Sequence, residues 1–486
     1  MQDSQSQLLF HGEALPTDSE YLLEYVSLAL AAGDEESALG AWLGAIDTFL
    51  EEARFADVQR LFQHIRGHRL STQAKAQVEL ARAEWYQKRG ENDVAIRAYR
   101  RAISVFRGLD DAHAEAQTLN SLALLLNELG RYEEAVTHHR VAARLYRRLG
   151  DYEALGEVLS NLGSIADAQR DWARAIPYYH QAAEAFTRVG AKKELAGAYN
   201  NLGVAHEMLN NLDSAEAWYQ RCVDLLDEIG ESYSEQGWRI LSNLGQFHAK
   251  RKQWDKAVNC NKWALEIADE LDSNWYRAMT WNNLGTLYEG QGDKRQAADC
   301  FREALRFQTE TTDRFAQATV LNNLASELSD LEDYAQAESC YRESLALSQE
   351  LGDTSGEART LNNLAVLLEA LERVDEAIGL YHHAAELFQQ LGDVPREVST
   401  LTNLVRFSWK MRREEPGRTA FLRAWVLARQ RGDQERLAKL YELRGDWVML
   451  EQRNNMLTRR WYHCAVSATK DELMHRTIAE KLSLIG

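Results

Sequence analysis

Proline is almost absent from this sequence, which has only four prolines and 28 glycines among its 486 residues. Both residues interrupt helices, because proline lacks a backbone N–H and glycine loses the most conformational entropy on folding. So few of them exclude long proline-rich or glycine-rich linkers and favour helices joined by short turns. With 45% hydrophobic and 27% charged residues, the chain has enough apolar surface for a sizeable core.

Long apolar segments are also missing. No run of 18 apolar residues occurs, and the N-terminus lacks the basic and then apolar segments of a secretion signal. We therefore expect a cytoplasmic protein that makes no contact with a membrane.

Cysteine is scarce, and none of the cysteines forms a C-x-x-C pair of the kind that binds metal. The five residues are Cys222, Cys260, Cys300, Cys340 and Cys464. Three of them are 40 residues apart, which we interpret as equivalent small buried positions in successive repeats rather than as a cluster.

Motifs of catalysis are missing as well. The sequence has no phosphate-binding glycine loop, no H-E-x-x-H and no G-x-S-x-G. Two adjacent histidine pairs, His138-His139 and His382-His383, are predicted on helices, where neighbouring side chains point in different directions and cannot chelate one ion. We predict that the protein is not an enzyme and has no metal or cofactor.

Charge is unevenly distributed around a net value of -18. Residues 151–403 carry -20 and residues 404–486 carry +7. The overall negative charge makes nucleic acid an unfavourable partner, and the uneven distribution suggests partners that differ along the molecule. A solvated surface is the simpler explanation of such charges.

What the sequence does contain is a repeat of 40 residues. A leucine recurs at this interval, with one step of 42, at Leu122, Leu162, Leu202, Leu244, Leu284, Leu324, Leu364 and Leu404. The next residue is glycine or alanine in seven repeats: Ala123, Gly163, Gly203, Gly245, Gly285, Ala325 and Ala365. Thirteen residues after the leucine comes an alanine, and four later an aromatic residue is common, as at Tyr179, Tyr219, Phe301, Tyr341, Tyr381 and Phe421.

This spacing predicts a helical hairpin in every repeat. A leucine with a small neighbour on the first helix, and a small–aromatic–small series on the second, let two helices approach closely. Several repeats end in Gly-Asp, as at Gly150 and Gly352, which predicts a helix stop followed by a capping residue. One hairpin cannot bury both of its faces, so stacked neighbours form a continuous core.

The segment Leu284, Gly285, Tyr288, Gly292, Ala297, Phe301 and Ala304 resembles the tetratricopeptide repeat in spacing and residue type. It differs from that family in its period of 40 rather than 34 residues and in the absence of the closing proline. The extra residues are expected to lengthen the helices. Long repeats of this kind resemble those of kinesin light chains, of Pins-type spindle adaptors and of bacterial regulators.

The resemblance implies an all-α fold, a right-handed superhelical solenoid of antiparallel helix pairs. On this basis we predict a flexible N-terminal tail at 1–17, degenerate helical repeats at 18–110, an array of eight repeats at 111–432, and a C-terminal hairpin with a capping helix at 433–486. Terminal repeats of solenoids are expected to be atypical, because one of their faces meets solvent.

An asparagine directly precedes the repeated leucine in seven repeats: Asn161, Asn201, Asn243, Asn283, Asn323, Asn363 and Asn403. Asparagine is a poor helix former, so an idle one would be expected to give way to a better residue. In tetratricopeptide proteins this face of the first helix lines a concave groove, and the resemblance implies that these asparagines bind the backbone of an extended peptide. A carboxamide has the donors and the acceptor for that purpose. The alternative is that the asparagines bond to the next helix or simply tolerate solvent.

Basic residues flank several of these asparagines on the same predicted helix face, namely Arg239, Lys250, Arg359, Arg406 and Lys410. They favour a peptide that carries an acidic group or its C-terminal carboxylate, although solvated charges explain them equally well.

Three functions remain open at this stage. The first is a non-catalytic scaffold or regulatory subunit that binds a peptide segment of a partner protein in its groove. The second is a bacterial-type regulator that senses a peptide and controls an effector such as a protease or a transcription factor. The third, nucleic-acid contact by the basic segment 404–486, is motivated by Arg412, Arg413, Arg459 and Arg460. The sequence does not specify an oligomeric state.

Overall fold

The computed structural model describes residues 19–66, 68–309, 311–452 and 454–484. The tail predicted at 1–17 lies outside these residues. The chain divides into two compact units, Met1–Ser232 and Tyr233–Gly486. All regular structure in the described part is helical, which confirms the all-α fold class.

The first unit contains pairs of helices packed side by side, with α4 against α5, α6 against α7, α8 against α9 and α10 against α11. Its helices are α1 (Ser19–Ala31), α2 (Glu35–Glu51), α3 (Phe55–Ile65), α4 (Thr72–Lys88), α5 (Asn92–Gly108), α6 (Ala112–Glu128), α7 (Tyr132–Leu149), α8 (Tyr152–Ala168), α9 (Trp172–Val189), α10 (Lys192–Met208) and α11 (Leu212–Glu228).

The second unit continues the same pairing from α12 with α13 to α22 with α23. Its helices are α12 (Glu235–Lys250), α13 (Trp254–Glu270), α14 (Asn274–Gln291), α15 (Lys294–Gln308), α16 (Arg314–Asp330), α17 (Tyr334–Leu351), α18 (Thr354–Ala370), α19 (Val374–Gln390), α20 (Val394–Lys410), α21 (Glu414–Arg431), α22 (Gln434–Trp447), α23 (Asn455–Ala468) and α24 (Glu472–Leu484). A π-helical turn, Val448–Gln452, follows α22.

The two helices of a pair are called the first and the second helix below. The repeated leucine lies on the first helix and is buried in every repeat, with Leu122, Leu202 and Leu404 fully inaccessible to solvent. Burying one leucine side chain contributes about 1.5–3 kcal/mol to stability. In the second unit Leu324, Leu364 and Leu404 belong to one core that continues from Ala297 to Trp447, so these neighbouring pairs share their apolar faces.

The predicted helix boundaries at Gly-Asp are confirmed. Gly150 ends α7 with φ 75°, and Gly352 ends α17 with φ 67°, a left-handed conformation that favours glycine. The aspartate that follows caps the next helix: Asp151 accepts from the backbone N–H of Ala154, and Asp353 accepts from that of Gly356.

Close approach of the paired helices, predicted from the small residue beside the leucine, is also confirmed. A Cβ atom added to Gly285 of α14 would lie 2.5 Å from the ring of Phe301 on α15. Gly163 and Gly203 meet Tyr179 and Tyr219 in the same way. The aromatic ring therefore occupies the space that the missing side chain leaves.

Candidate functional site

The asparagines on the first helices form hydrogen bonds between neighbouring helix pairs. In the second unit, such bonds join the Nδ2 atom of Asn323 to Oδ1 of Asn282 (3.2 Å), Asn363 to Asn322 (3.2 Å) and Asn403 to Asn362 (3.5 Å). We call these six residues the asparagine ladder. In the first unit, Asn161 donates to Asn120 in the same way (3.5 Å).

Each of these bonds spans 41 residues of sequence, one more than the repeat. The asparagine directly before the leucine therefore donates to the residue one position earlier in the preceding repeat. This explains why two asparagines stand together at 362 and 363, because the first accepts from the next repeat and the second donates to the previous one. The spacing of 41 is the sequence signal for this pairing, and the repeat register alone did not reveal it.

The asparagines that the sequence predicts as peptide-binding are all half-buried. A carboxamide has two N–H donors and an oxygen with two lone pairs, so one bond to a neighbour does not exhaust its capacity. Four of the seven, Asn161, Asn323, Asn363 and Asn403, donate a hydrogen bond to an asparagine of the preceding helix pair. Their contact with a peptide stays a prediction.

The structure brings two predicted site residues, Lys250 and Asn283, to one pocket of about 260 Å³ in the second unit. Its wall is formed by three successive helices, with Gln246, Ala249 and Lys250 from α12, Asn261 from α13, and Asn283, Thr286 and Leu287 from α14. Gln246, Lys250 and Thr286 are exposed and form the rim, whereas Asn261 is 1% exposed and Leu287 is 5% exposed, and both form the floor.

Asn261 is a residue that the sequence-based prediction missed. It lies seventeen residues after Leu244, at the position where other repeats have an aromatic residue. Its Nδ2 atom donates to the backbone carbonyl of Ala257 (2.9 Å), whereas its Oδ1 atom is buried with no hydrogen-bond partner among the described residues. The signal was the break in the aromatic pattern.

The five predicted basic residues differ in their surroundings. Arg239, Arg359 and Lys410 are exposed on their helices, as is Lys250. Arg406 instead forms an ion pair with Glu369, with its Nη2 atom 2.9 Å from both carboxylate oxygens. Glu369 also accepts a hydrogen bond from the hydroxyl of Tyr381 (2.5 Å). Arg406 is therefore paired with an acid of the molecule itself.

A buried acid, Glu327, lies on α16, the helix that carries Asn322 and Asn323 of the ladder. Glu327 is 3% exposed and lies three residues after Leu324, at a position that Leu287 and Leu367 occupy in the neighbouring repeats. Burial raises the pKa of Glu327 to about 7; the negative charges of Glu289 and Asp330 add to the rise, and Lys294 opposes it. The Nζ atom of Lys294 lies 2.8 Å from the Oδ2 atom of Asp330.

The basic C-terminal segment has a larger pocket, of about 910 Å³, between α22 and α23. Arg459 and Arg460 line it together with Tyr441 and Cys464. Arg413 lies elsewhere and pairs with Asp375 at 3.0 Å. Of the four arginines that motivated the nucleic-acid hypothesis, only Arg459 and Arg460 line this pocket.

Metal-binding geometry is absent from the part of the chain that the structure describes, since no group of three or more His, Cys, Asp or Glu side chains could hold an ion. All five cysteines are free thiols. In the described residues, no helix is both long and apolar enough to span a membrane.

Comparison with known protein families gives a match along the repeats. The family model described as "Tetratricopeptide repeat" matches residues 74–148, 155–228, 239–310 and 316–390, which together exceed half of the chain. No curated protein matches the chain.

Solved structures similar to this chain have low sequence identity to it. The apo form of RapI is 13% identical with a TM-score of 0.51, over 69% of this chain and 98% of that one. A signal transduction ATPase with numerous domains and a tetratricopeptide repeat sensor, from Pyrococcus horikoshii, is 14% identical with a TM-score of 0.54, over 76% of this chain and 55% of that one. The apo form of the quorum sensor NprR from B. thuringiensis is 13% identical with a TM-score of 0.46, over 81% of this chain and 99% of that one.

The helix pairs, their buried leucines and the glycine–aromatic contacts agree with the family match. The chain belongs to the tetratricopeptide repeat family.

Proposed function

We propose that the protein is a non-catalytic scaffold or regulatory subunit that binds an extended peptide segment of a partner protein along the first helices of its second unit. The observation that carries this proposal is the asparagine ladder. Its carboxamides are buried at Asn322 and half-buried at the other five positions, and they are regularly spaced and bonded to one another, so that they are ordered before a ligand arrives. Such preorganisation reduces the entropy lost on binding.

The chemistry of the ladder suits a peptide backbone. An extended peptide presents N–H and C=O groups at regular intervals, and each carboxamide can donate to one and accept from the other. The exposed Arg239, Arg359 and Lys410 add positive charge near the same helix faces. They favour a peptide that has an acidic segment.

The test compares two double variants that both break the bonds from Asn323 to Asn282 and from Asn363 to Asn322. The first variant also breaks the bond from Asn362 to Asn363. Asn323→Ala with Asn363→Ala removes the donors of the bonds to Asn282 and Asn322 and also removes the amides predicted to bind peptide. Asn282→Ala with Asn322→Ala removes the acceptors of those bonds but leaves Asn323 and Asn363 in place. Both variants are expected to lose about 1 kcal/mol of unfolding free energy per bond.

Binding then separates the two roles. Panning a random heptapeptide library on the purified full chain supplies the ligand, and titration of an enriched peptide gives the affinity. The Asn323/Asn363 variant is expected to bind at least about tenfold more weakly than the Asn282/Asn322 variant. A tenfold difference in affinity corresponds to about 1.4 kcal/mol, which is about the contribution of one hydrogen bond. Equal affinities would show that the ladder only joins the helices.

A second candidate is a regulator that senses a peptide and controls an effector protein. The division of the chain into two compact units favours it, because a switch needs parts that respond separately. The two candidates share the peptide site and differ in whether binding changes the dimensions of the molecule.

A further inference from the structure

A ring fills the same position on the second helix in nearly every described pair from α4 to α21. The residues are Tyr99, His139, Tyr179, Tyr219, Phe301, Tyr341, Tyr381 and Phe421. All of them are buried. On α13 this position holds Asn261, which has no ring.

The neighbours of Asn261 are still those of a ring. Gly245 stands beside Leu244 on α12, just as Gly203 and Gly285 stand in the adjacent repeats, where the rings of Tyr219 and Phe301 cover them. The amide of Asn261 covers Gly245 instead. An amide is smaller than a phenyl ring, so part of the space remains unfilled, and the pocket of about 260 Å³ lies there.

The pocket has a polar requirement as well as a shape. The Oδ1 atom of Asn261 is buried with no hydrogen-bond partner among the described residues, and leaving such an acceptor unpaired is unfavourable. Leu287 and Ala249 supply apolar walls, and the exposed Gln246 and Thr286 leave the mouth open. A ligand that satisfies this site has a flat apolar ring and a hydrogen-bond donor at its far end.

We propose that this pocket binds a tyrosine side chain of the partner peptide, whose ring replaces the one missing at Asn261 and whose hydroxyl donates to Asn261 Oδ1. The proposal rests on the proposed function, because the peptide must lie along the first helices to reach the pocket. The two sites adjoin on α14, because Asn283, which lines the pocket, directly follows Asn282 of the ladder.

The decisive variant is Asn261→Phe, which restores the ring of the adjacent repeats and fills the pocket. Phenylalanine is chosen over tyrosine because the hydroxyls of Tyr219 and Tyr381 bond to an acid twelve residues earlier, whereas that position here is Ala249. The variant is expected to fold with an unchanged or higher unfolding midpoint. Its helical circular dichroism and urea denaturation check this before binding is measured.

The wild-type chain and Asn261→Phe are panned against the same random heptapeptide library. Wild type is expected to enrich tyrosine at one fixed position, and Asn261→Phe is expected to lose that enrichment while it still retains peptides through the ladder. Enrichment without tyrosine, or equal tyrosine enrichment by both proteins, overturns the pocket assignment and leaves the groove function intact. If neither protein enriches any peptide, the groove function fails, and the pocket assignment fails with it.

Asn261→Leu isolates the hydrogen bond. Leucine removes the acceptor without supplying a ring. For the enriched peptide and its Tyr→Phe analogue, wild type is expected to prefer tyrosine by at least about tenfold, because a buried acceptor penalises a ligand that cannot donate. Asn261→Leu is expected to lose this preference. A preference that persists in Asn261→Leu would assign the hydroxyl to another partner and overturn the role of Oδ1.

Discussion

Gly285 determines how closely α14 approaches α15, because a side chain at this position would meet the ring of Phe301 at 2.5 Å. Gly285→Ala is therefore expected to lose about 1–3 kcal/mol of unfolding free energy through overpacking. Gly379 is the matched control, since it lies inside α19 and, apart from the adjoining part of its own helix, no atom lies within 4 Å of an added Cβ. Gly379→Ala is expected to gain up to about 1 kcal/mol from helix propensity. Urea denaturation of both variants measures the difference, and equal effects would contradict the packing role of Gly285.

Glu327 makes stability depend on pH. Its folded-state pKa of about 7 exceeds its ordinary value of 4.5, so the folded protein keeps a proton that the unfolded chain has lost. The stability that this proton provides is complete below the ordinary value and is lost as the pH rises through the folded value. Glu327→Leu, which installs the residue found at positions 287 and 367, abolishes this titration.

The expected result is a gap in unfolding free energy that opens with pH. From about pH 5 to about pH 8, the stability of Glu327→Leu relative to wild type is expected to increase by on the order of 3 kcal/mol. Denaturation of both proteins across this range measures the gap, and acids that do not interact with Glu327 affect both proteins alike. A constant gap would mean that Glu327 is ionised throughout.

At the scale of single residues, the sequence predicted types and register better than partners. The seven asparagines were located by their position before the leucine. The bonds that four of them donate, however, depend on a one-residue offset between adjacent first helices, which no single repeat encodes. Arg406 was assigned to the groove by its helix face, whereas its contact with Glu369 depends on a residue 37 positions away. Asn261 was overlooked because only the repeats that have an aromatic residue at this position were considered, and not the repeat that lacks one.

Helix boundaries were more predictable, because they are local. A glycine in the left-handed conformation and an aspartate that caps the next helix interact within a few residues, so sequence alone contains the relevant information. The helix pairs likewise follow from a period that recurs many times. The family match over residues 74–390, with short gaps, agrees with this interpretation.

Capping gives a prediction at the scale of one helix. Asp151 precedes α8 and accepts from the N–H of Ala154 at 3.1 Å, whereas Asn211 precedes α11 without a side-chain cap bond. Asp151→Ala is expected to lose about 1 kcal/mol of unfolding free energy, and Asn211→Ala is expected to lose a few tenths at most. Thermal or urea denaturation compares them. Equal losses would show that the cap of α8 is not a source of stability.

For the whole molecule, scaffold and switch make opposite predictions about dimensions. A ligand shifts a conformational equilibrium only by its difference in affinity for the two states. The ladder bonds join adjacent first helices, so the peptide site of the second unit is ordered without ligand. An ordered site does not require a second conformation that binds the peptide more tightly.

We therefore expect the radius of gyration from small-angle scattering to stay the same when the enriched peptide is added at saturation. The Asn323→Ala and Asn363→Ala double variant at the same peptide concentration is the control, since it is expected to bind the peptide at least about tenfold more weakly. A change in wild type that the double variant lacks would establish the peptide-responsive regulator instead, because only specific binding then alters the molecule.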